Sequence, residues 1–164
     1  GHRAGADVVK PLMYACRDRG VKTLTLFAFS SENWQRPETE VRALMALLSR
    51  YLRREIKELA ADGVRIRFIG RRDRLSPRIA KLLEQSEEAT QHNTEATLVL
   101  ALDYGGRWDV SSAAASLAQD VADGRINADD INEQILSSRM SLGIPVKLEE
   151  CKIDFRNILY LTGS

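Results

Sequence analysis

An α/β fold, a parallel β-sheet flanked by helices, is what this chain of 164 residues predicts, on three observations. Apolar runs rich in β-branched and aromatic residues recur at 21–29, 64–69 and 96–102. Helix-period segments separate them, and strands alternating with helices of this length imply βαβ units and parallel pairing. Two of the runs empty into polar clusters, and in open α/β sheets ligands gather outside the carboxyl ends of the strands.

From 4 to 19, Val8, Val9, Leu12, Met13 and Cys16 recur at spacings of one, three and four, which predicts an amphipathic helix stopped by Gly20. Residues 21–29 are hydrophobic almost without interruption and predict a central strand buried on both faces. Pro37-Glu38-Thr39-Glu40 can open a helix, its acidic residues near the positive end of the dipole. Its expected core face is Val41, Leu44, Met45, Leu48, Leu52, Ile56 and Leu59, and Asp62-Gly63 is its expected end. In 64–69, Arg65 and Arg67 alternate with Val64, Ile66 and Phe68, so this strand has one wet face and belongs toward the sheet edge.

Ser76-Pro77 reads as an N-cap followed by proline at the first helical position, with Ile79, Leu82 and Leu83 inward. Residues 96–102 predict a third strand, which ends in Asp103-Tyr104-Gly105-Gly106-Arg107-Trp108-Asp109. Two more helices are expected, over 109–122 and 127–138. The domain is therefore expected to be 1–142, followed by a divergent tail, 143–164, with a strand at Ile158-Leu159-Tyr160-Leu161.

Hydrophobic residues make up 44% of the chain and charged residues 29%, a balance that builds one core and argues against disorder. A formal net charge of +1 supplies no field to recruit nucleic acid, so no nucleic-acid partner is expected. Cys16 and Cys151 lie far apart without metal-ligand spacing, and Cys16 is expected to pack as a small hydrophobe. Few cysteines, no visible signal peptide and no bilayer-spanning apolar run lead to the expectation of a cytoplasmic protein whose membrane contact, if any, is peripheral.

The segment after the first strand, Phe29-Ser30-Ser31-Glu32-Asn33-Trp34-Gln35-Arg36-Pro37, concentrates the chemistry. A single serine there would simply cap the next helix, but Ser30, Ser31 and Glu32 followed by Asn33, Trp34 and Arg36 exceed what capping needs. Arg36 offers a fork of donors suited to phosphate oxygens, or is a solvated charge. Trp34 is either a core aromatic or an apolar wall against a lipid chain or allylic group. Gly105-Gly106-Arg107 either turns the chain or holds an anion. Asp103 is expected to bond loop amides, and His92 to be exposed. Arg65, Arg67, Arg71, Arg72 and Arg74 form a solvated face or meet an anionic membrane.

Gly1-His2-Arg3-Ala4-Gly5, then Leu24-Thr25-Leu26-Phe27-Ala28 running into the Phe29–Pro37 string, then Tyr104-Gly105-Gly106-Arg107, together resemble the cis-prenyltransferases. The resemblance is strongest to the bacterial undecaprenyl diphosphate synthases and runs in that family's order and spacing from Gly1 to Ser138. It implies a parallel sheet flanked by helices, a hydrophobic tunnel for the growing chain, and a homodimer. The implied activity is repeated condensation of isopentenyl diphosphate onto farnesyl diphosphate, with Mg²⁺, to form cis double bonds in undecaprenyl diphosphate, the lipid carrier of cell-wall sugars.

By the same resemblance His2 would contact the allylic diphosphate, Ser30, Ser31 and Glu32 would line the substrate site, and Trp34 and Arg36 would add contacts. Asn33 matches the residue assigned as proton acceptor, although an amide is so weak a base that an orienting role is physically preferred. Ala28 and the helix bearing Leu44, Met45 and Leu48 are candidates for the tunnel wall. Two family motifs do not occur in this sequence: M-D-G-N-x-R-W, whose aspartate binds Mg²⁺, and R-T-x-G-E-x-R-x-S-x-F, which holds isopentenyl diphosphate. No metal ligand is therefore expected among these residues, and the chain alone is expected to be inactive. The alternative is a non-catalytic prenyl-diphosphate-binding or partner subunit of a cis-prenyltransferase.

Overall fold

The structure, a computed structural model, describes residues 2–141, with side chains from Val8 onward. In order the elements are α1 (His2–Asp18), β1 (Thr23–Ser30), a 3-10 turn (Ser31–Gln35), α2 (Glu38–Ala61), β2 (Val64–Ile69), α3 (Pro77–Thr90), β3 (Ala96–Tyr104), α4 (Gly106–Ala122), a second 3-10 turn (Ala128–Asp130) and α5 (Glu133–Arg139). They fall into two compact units that divide between Asp103 and Tyr104. The strand expected in the tail lies outside the described residues.

The first unit holds a three-stranded parallel sheet in the order β1-β3-β2. The strand in the middle is thus β3, not β1 as expected from hydrophobicity. Crossover geometry decides this: β2–α3–β3 joins neighbours, whereas β1–α2–β2 skips a place and leaves it for β3. Accordingly every β3 residue except Thr97 and Tyr104 is buried, while β1 leaves Thr23 and Ala28 exposed. β2 and β3 run in register from Val64 opposite Ala96 to Ile69 opposite Ala101.

β2 lies at an edge, as its alternation predicts, and α3 closes that edge with side chains. The Ile66 amide donates to Thr90 Oγ1 at 3.0 Å and the Phe68 amide to Glu87 Oε1 at 2.8 Å, while Asn93 Nδ2 donates to the Val64 carbonyl at 2.9 Å. An unpaired edge would otherwise invite another strand. Ser76 caps α3, its Oγ accepting from the Ile79 amide at 3.4 Å, with Pro77 following in the first turn.

The core gathers Met13 of α1, Leu26 and Phe29 of β1, Leu52 and Leu59 of α2, Leu83 of α3 and Leu98 of β3. The whole expected stripe of α2 faces it: Val41, Leu52 and Leu59 are buried, and Leu44, Met45, Leu48 and Ile56 pack partly buried against it. Cys16 packs there as well. Tyr51 and Glu55 are also buried on α2, which the apolar pattern alone did not indicate. Between α1 and α2, Lys10 pairs with Glu58 and lies 3.9 Å from Glu55. Tyr14 donates to Asp62; burial and that bond push its hydroxyl up to about 12.

In the second unit α4 begins at Gly106, three residues earlier than expected. Asp109 in its first turn is buried; its Oδ2 accepts from the Tyr104 hydroxyl at 3.0 Å, and its Oδ1 accepts from the Ser141 amide and hydroxyl at 2.9 and 2.7 Å. Asp120 receives Arg125 at 2.7 Å and Arg139 at 2.5 Å. The helix expected over 127–138 is instead a short 3-10 turn followed by α5. Asn132 breaks it by turning its Oδ1 onto the amides of Gln134 and Ile135, each at 3.0 Å, and so starts a new helix.

Gly70 follows β2 with φ +108°, and a Cβ there would stand 2.0 Å from the Leu102 carbonyl oxygen. Gly20, at φ +79°, has open space. Gly70→Ala is expected to cost about 3 kcal/mol or more through strain and overlap, against roughly 1 kcal/mol for Gly20→Ala. Urea unfolding of the two variants checks the contrast.

Burial first, and the Asp109 carboxylate second, push the Tyr104 hydroxyl from 10.0 up to about 12. Because the folded value is the higher one, the stability this group contributes is present below pH 10 and is lost as pH rises towards 12. Melting temperatures between pH 8 and pH 11.5 should fall more steeply for the wild-type chain than for Tyr104→Phe, an estimate of roughly this pH range following from the linkage argument.

Candidate functional site

β1 ends at Ser30, whose extended backbone hands the chain to the 3-10 turn. The Ser30 amide donates to Asn33 Oδ1 at 2.8 Å, and the Arg36 amide to the Asn33 carbonyl at 3.2 Å. Pro37 keeps Arg36 extended, and its own carbonyl accepts the first bond of α2 from Glu40 at 2.9 Å. Asn33 therefore staples the turn to the strand end, and its amide oxygen is committed to the backbone.

Trp34 stands partly buried against the core, its ring edge-on to Phe29 with centroids 5.1 Å apart. The core reading of this tryptophan holds, and the contact leaves its polar edge over. Trp34 Nε1 and Ser31 Oγ are buried atoms without a hydrogen-bond partner among the described residues. Buried polar groups are nearly always paired, and leaving one unpaired costs about 1–3 kcal/mol. Two buried donors without a partner among the described residues thus stand in one turn.

Arg36 caps the end of the turn, half-exposed, and among the described residues reaches only Glu40 Oε2 at 3.5 Å. That long contact leaves most of its fork uncommitted. Glu32 is exposed.

Behind the turn stands a group that the motif did not indicate. Asp103, fully buried near the end of β3, accepts from Arg74 Nε at 2.9 Å and from Arg74 Nη2 at 2.5 Å. The same guanidinium lies 5.3 Å from the centre of the Trp34 ring. Asp103 was expected to bond loop amides; its carboxylate takes a guanidinium instead, because a buried charge needs a countercharge more than it needs a dipole. The available signal was a lone carboxylate at the end of an otherwise apolar strand.

The basic run is largely self-neutralised. Arg71 pairs with Asp73 at 2.7 Å and Arg72 with Glu87 at 2.8 Å, in addition to Arg74 with Asp103. The Arg71 bond holds Asp73 below the usual carboxylate range. Arg65 is exposed on β2 and Arg67 half-buried.

Other expected residues lie apart from this turn. His2 is the first residue of α1 and its side chain lies outside the described ones; His92 is exposed beyond α3. In the second unit Gly105 precedes α4 in extended conformation, and Arg107 is exposed. Ala28 is exposed, while Leu44, Met45 and Leu48 are partly buried. Among the described residues no group of three or more His, Cys, Asp or Glu is placed to hold a metal ion, and no helix is long and apolar enough to cross a membrane.

Comparison with known proteins bears on this geometry. A family model described as "Putative undecaprenyl diphosphate synthase" matches residues 1–151. An isoprenyl transferase from Agrobacterium fabrum is 49% identical over 146 residues, which cover 88% of this chain and 59% of the relative. A ditrans,polycis-undecaprenyl-diphosphate synthase from Pseudomonas aeruginosa, named as specific for (2E,6E)-farnesyl diphosphate, is 46% identical over 143 residues, covering 87% and 57%. The chain thus spans less than two thirds of the length of the curated relatives it matches. Among solved structures, lavandulyl diphosphate synthase from Lavandula x intermedia, in complex with dimethylallyl diphosphate, superposes with a TM-score of 0.84 at 31% identity, covering 88% of this chain and 62% of that one. A probable undecaprenyl diphosphate synthase from Campylobacter jejuni superposes with a TM-score of 0.76 at 30% identity, covering 88% and 66%.

Asn33→Ala, which removes the acceptor for the Ser30 amide, is expected to cost about 1 kcal/mol, and Asn33→Asp, which keeps it, distinctly less. Chemical denaturation of both variants reads the difference.

Proposed function

The chain belongs to the undecaprenyl diphosphate synthase family of prenyltransferases, and from that premise we propose that its 3-10 turn is part of a site for an allylic prenyl diphosphate. The reaction proposed for the whole protein is cis-condensation of isopentenyl diphosphate onto farnesyl diphosphate, leading to undecaprenyl diphosphate. The observation that carries the reading is the pair of orphaned buried donors, Ser31 Oγ and Trp34 Nε1, in the turn that also carries Arg36. A diphosphate supplies the many acceptor oxygens such donors lack. The farnesyl specificity in the name of the Pseudomonas aeruginosa relative, and the dimethylallyl diphosphate in the Lavandula structure, support this substrate class.

In this reading each residue has a distinct task. Ser31 and Trp34 donate to non-bridging oxygens, and Arg36 adds a forked, permanently charged donor. When the allylic carbon–oxygen bond breaks, negative charge grows on the departing diphosphate; donors fixed beforehand stabilise it without reorganising. Asn33 orients the turn, its amide oxygen already engaged. The Trp34 ring, with Ala28, Leu44, Met45 and Leu48, offers apolar surface to the prenyl chain. Glu32 and His2 belong to the proposed site by resemblance alone.

Magnesium would neutralise diphosphate charge when bound. The described residues offer no cluster that fits it, and no step here runs through it. Homodimerisation, a cytoplasmic location and peripheral membrane contact belong to the proposal by resemblance. The carboxylates paired with Arg71, Arg72 and Arg74 reduce the net positive charge this run would offer an anionic surface.

Calorimetric titration with farnesyl diphosphate tests the reading. Binding is expected to weaken by about tenfold in Arg36→Ala and by a few-fold in Ser31→Ala, with farnesol, which lacks the diphosphate, binding far more weakly than either. Equal affinity for farnesol, or binding indifferent to both substitutions, would overturn it.

A further inference from the structure

We infer that Arg74 is a positioning residue of this site: its guanidinium, locked on the buried carboxylate of Asp103, sets where the Trp34 indole stands. The inference rests on the reading of the 3-10 turn as a prenyl diphosphate site. Among the described residues the indole nitrogen has no hydrogen-bond partner, so none of their polar groups fixes the ring. The ring packs partly buried against the core, with Phe29 edge-on at 5.1 Å and the Arg74 cation 5.3 Å from its centre.

That cation is not free to wander. Two bonds, from Nε and Nη2 to the two oxygens of one carboxylate, fix the plane of the guanidinium as well as its position. The carboxylate is itself immobile. Asp103 is fully buried, sits near the end of the middle strand, and holds φ at +50°. Its carbonyl accepts from the Arg71 amide at 3.3 Å, which ties the loop bearing Arg74 to the same strand end. Position therefore passes from β3 through Asp103 and Arg74 to the ring at the end of β1. Because Asp103 compensates its charge, Arg74 acts on the ligand through Trp34 and needs no contact with it.

The test uses the chain with Trp108→Phe, which leaves Trp34 as the sole tryptophan of two. Into it go Arg74→Met, Arg74→Lys and Asp103→Asn, with exposed Arg78→Ala as control. Asparagine tolerates the left-handed backbone, so Asp103→Asn keeps the test open if Arg74→Met fails to fold. Expected are a red-shifted Trp34 emission and an acrylamide quenching constant raised by about twofold in Arg74→Met and Asp103→Asn, with Arg74→Lys between these and the parent, since a point charge restores the cation over the ring without the fork. Melts should stay cooperative and Arg78→Ala should behave as the parent. Farnesyl diphosphate affinity should fall by about tenfold in the same variants that move the emission. Unchanged emission and quenching in the folded variants would overturn the inference. If the parent itself fails to bind farnesyl diphosphate, the prenyl diphosphate reading falls, while the fluorescence still decides whether Arg74 positions the ring.

Discussion

A carboxylate with no access to water, Asp103, is the constraint around which the first unit is arranged. Burying such a charge unpaired is prohibitive, so a cation had to be brought to it with two hydrogen bonds in good geometry. The cation comes from the loop after β2, which must turn sharply at Gly70 to run past the Leu102 carbonyl. The same cation then lies against an aromatic ring from the loop after β1. Groups from two separate loops, after β1 and after β2, are thereby tied to the end of the middle strand. In a parallel sheet that is the end where ligands bind, so an electrostatic necessity of folding has also given the candidate site a rigid floor.

The edge at β2 shows the same economy. Its outward amides are met by Thr90 and Glu87 of the very helix that connects it to β3, and Glu87 also takes Arg72. A crossover helix normally covers a sheet face; α3 covers a face and seals an edge as well. Basic residues that look from their spacing like a charged surface are in fact consumed by this closure and by the Asp103 pair. Only Arg65 and Arg67, on the strand itself, remain outside the ion pairs described for that run.

Much of this was legible in the residues. Apolar stripes located α2 and the apolar part of its core face, and Ser76-Pro77 located the start of α3, because both signals are local. Order within the sheet was not legible from hydrophobicity: β1 and β3 both read as apolar runs, and the skipped place between β1 and β2 is what sends β3 to the middle. The break at Asn132 was missed because helical spacing continues through it while a side-chain cap competes for the same amides. At the site, the string Ser30–Pro37 announced itself by composition. Its support did not, since Arg74 and Asp103 are 29 residues apart and no local spacing pairs a residue of the basic run with the carboxylate ending β3.

The turn divides its polar groups between two duties, and that division bears on how it would bind an anion. Asn33 and Arg74 are spent on the protein, one stapling the turn to its own strand and the other holding the indole from the neighbouring one. Among the described residues Ser31 Oγ and Trp34 Nε1 have no hydrogen-bond partner, and Arg36 makes a single long contact. Had the structural duties fallen to the same side chains as recognition, a ligand would first have to break internal bonds. Because they do not, a bound anion could take these donors without first breaking internal bonds. A turn stabilised only by its own residues would relax until those donors found partners. Anchoring from β3 through Arg74 prevents that relaxation, which is why a pair so far from the motif in sequence belongs to the same piece of chemistry.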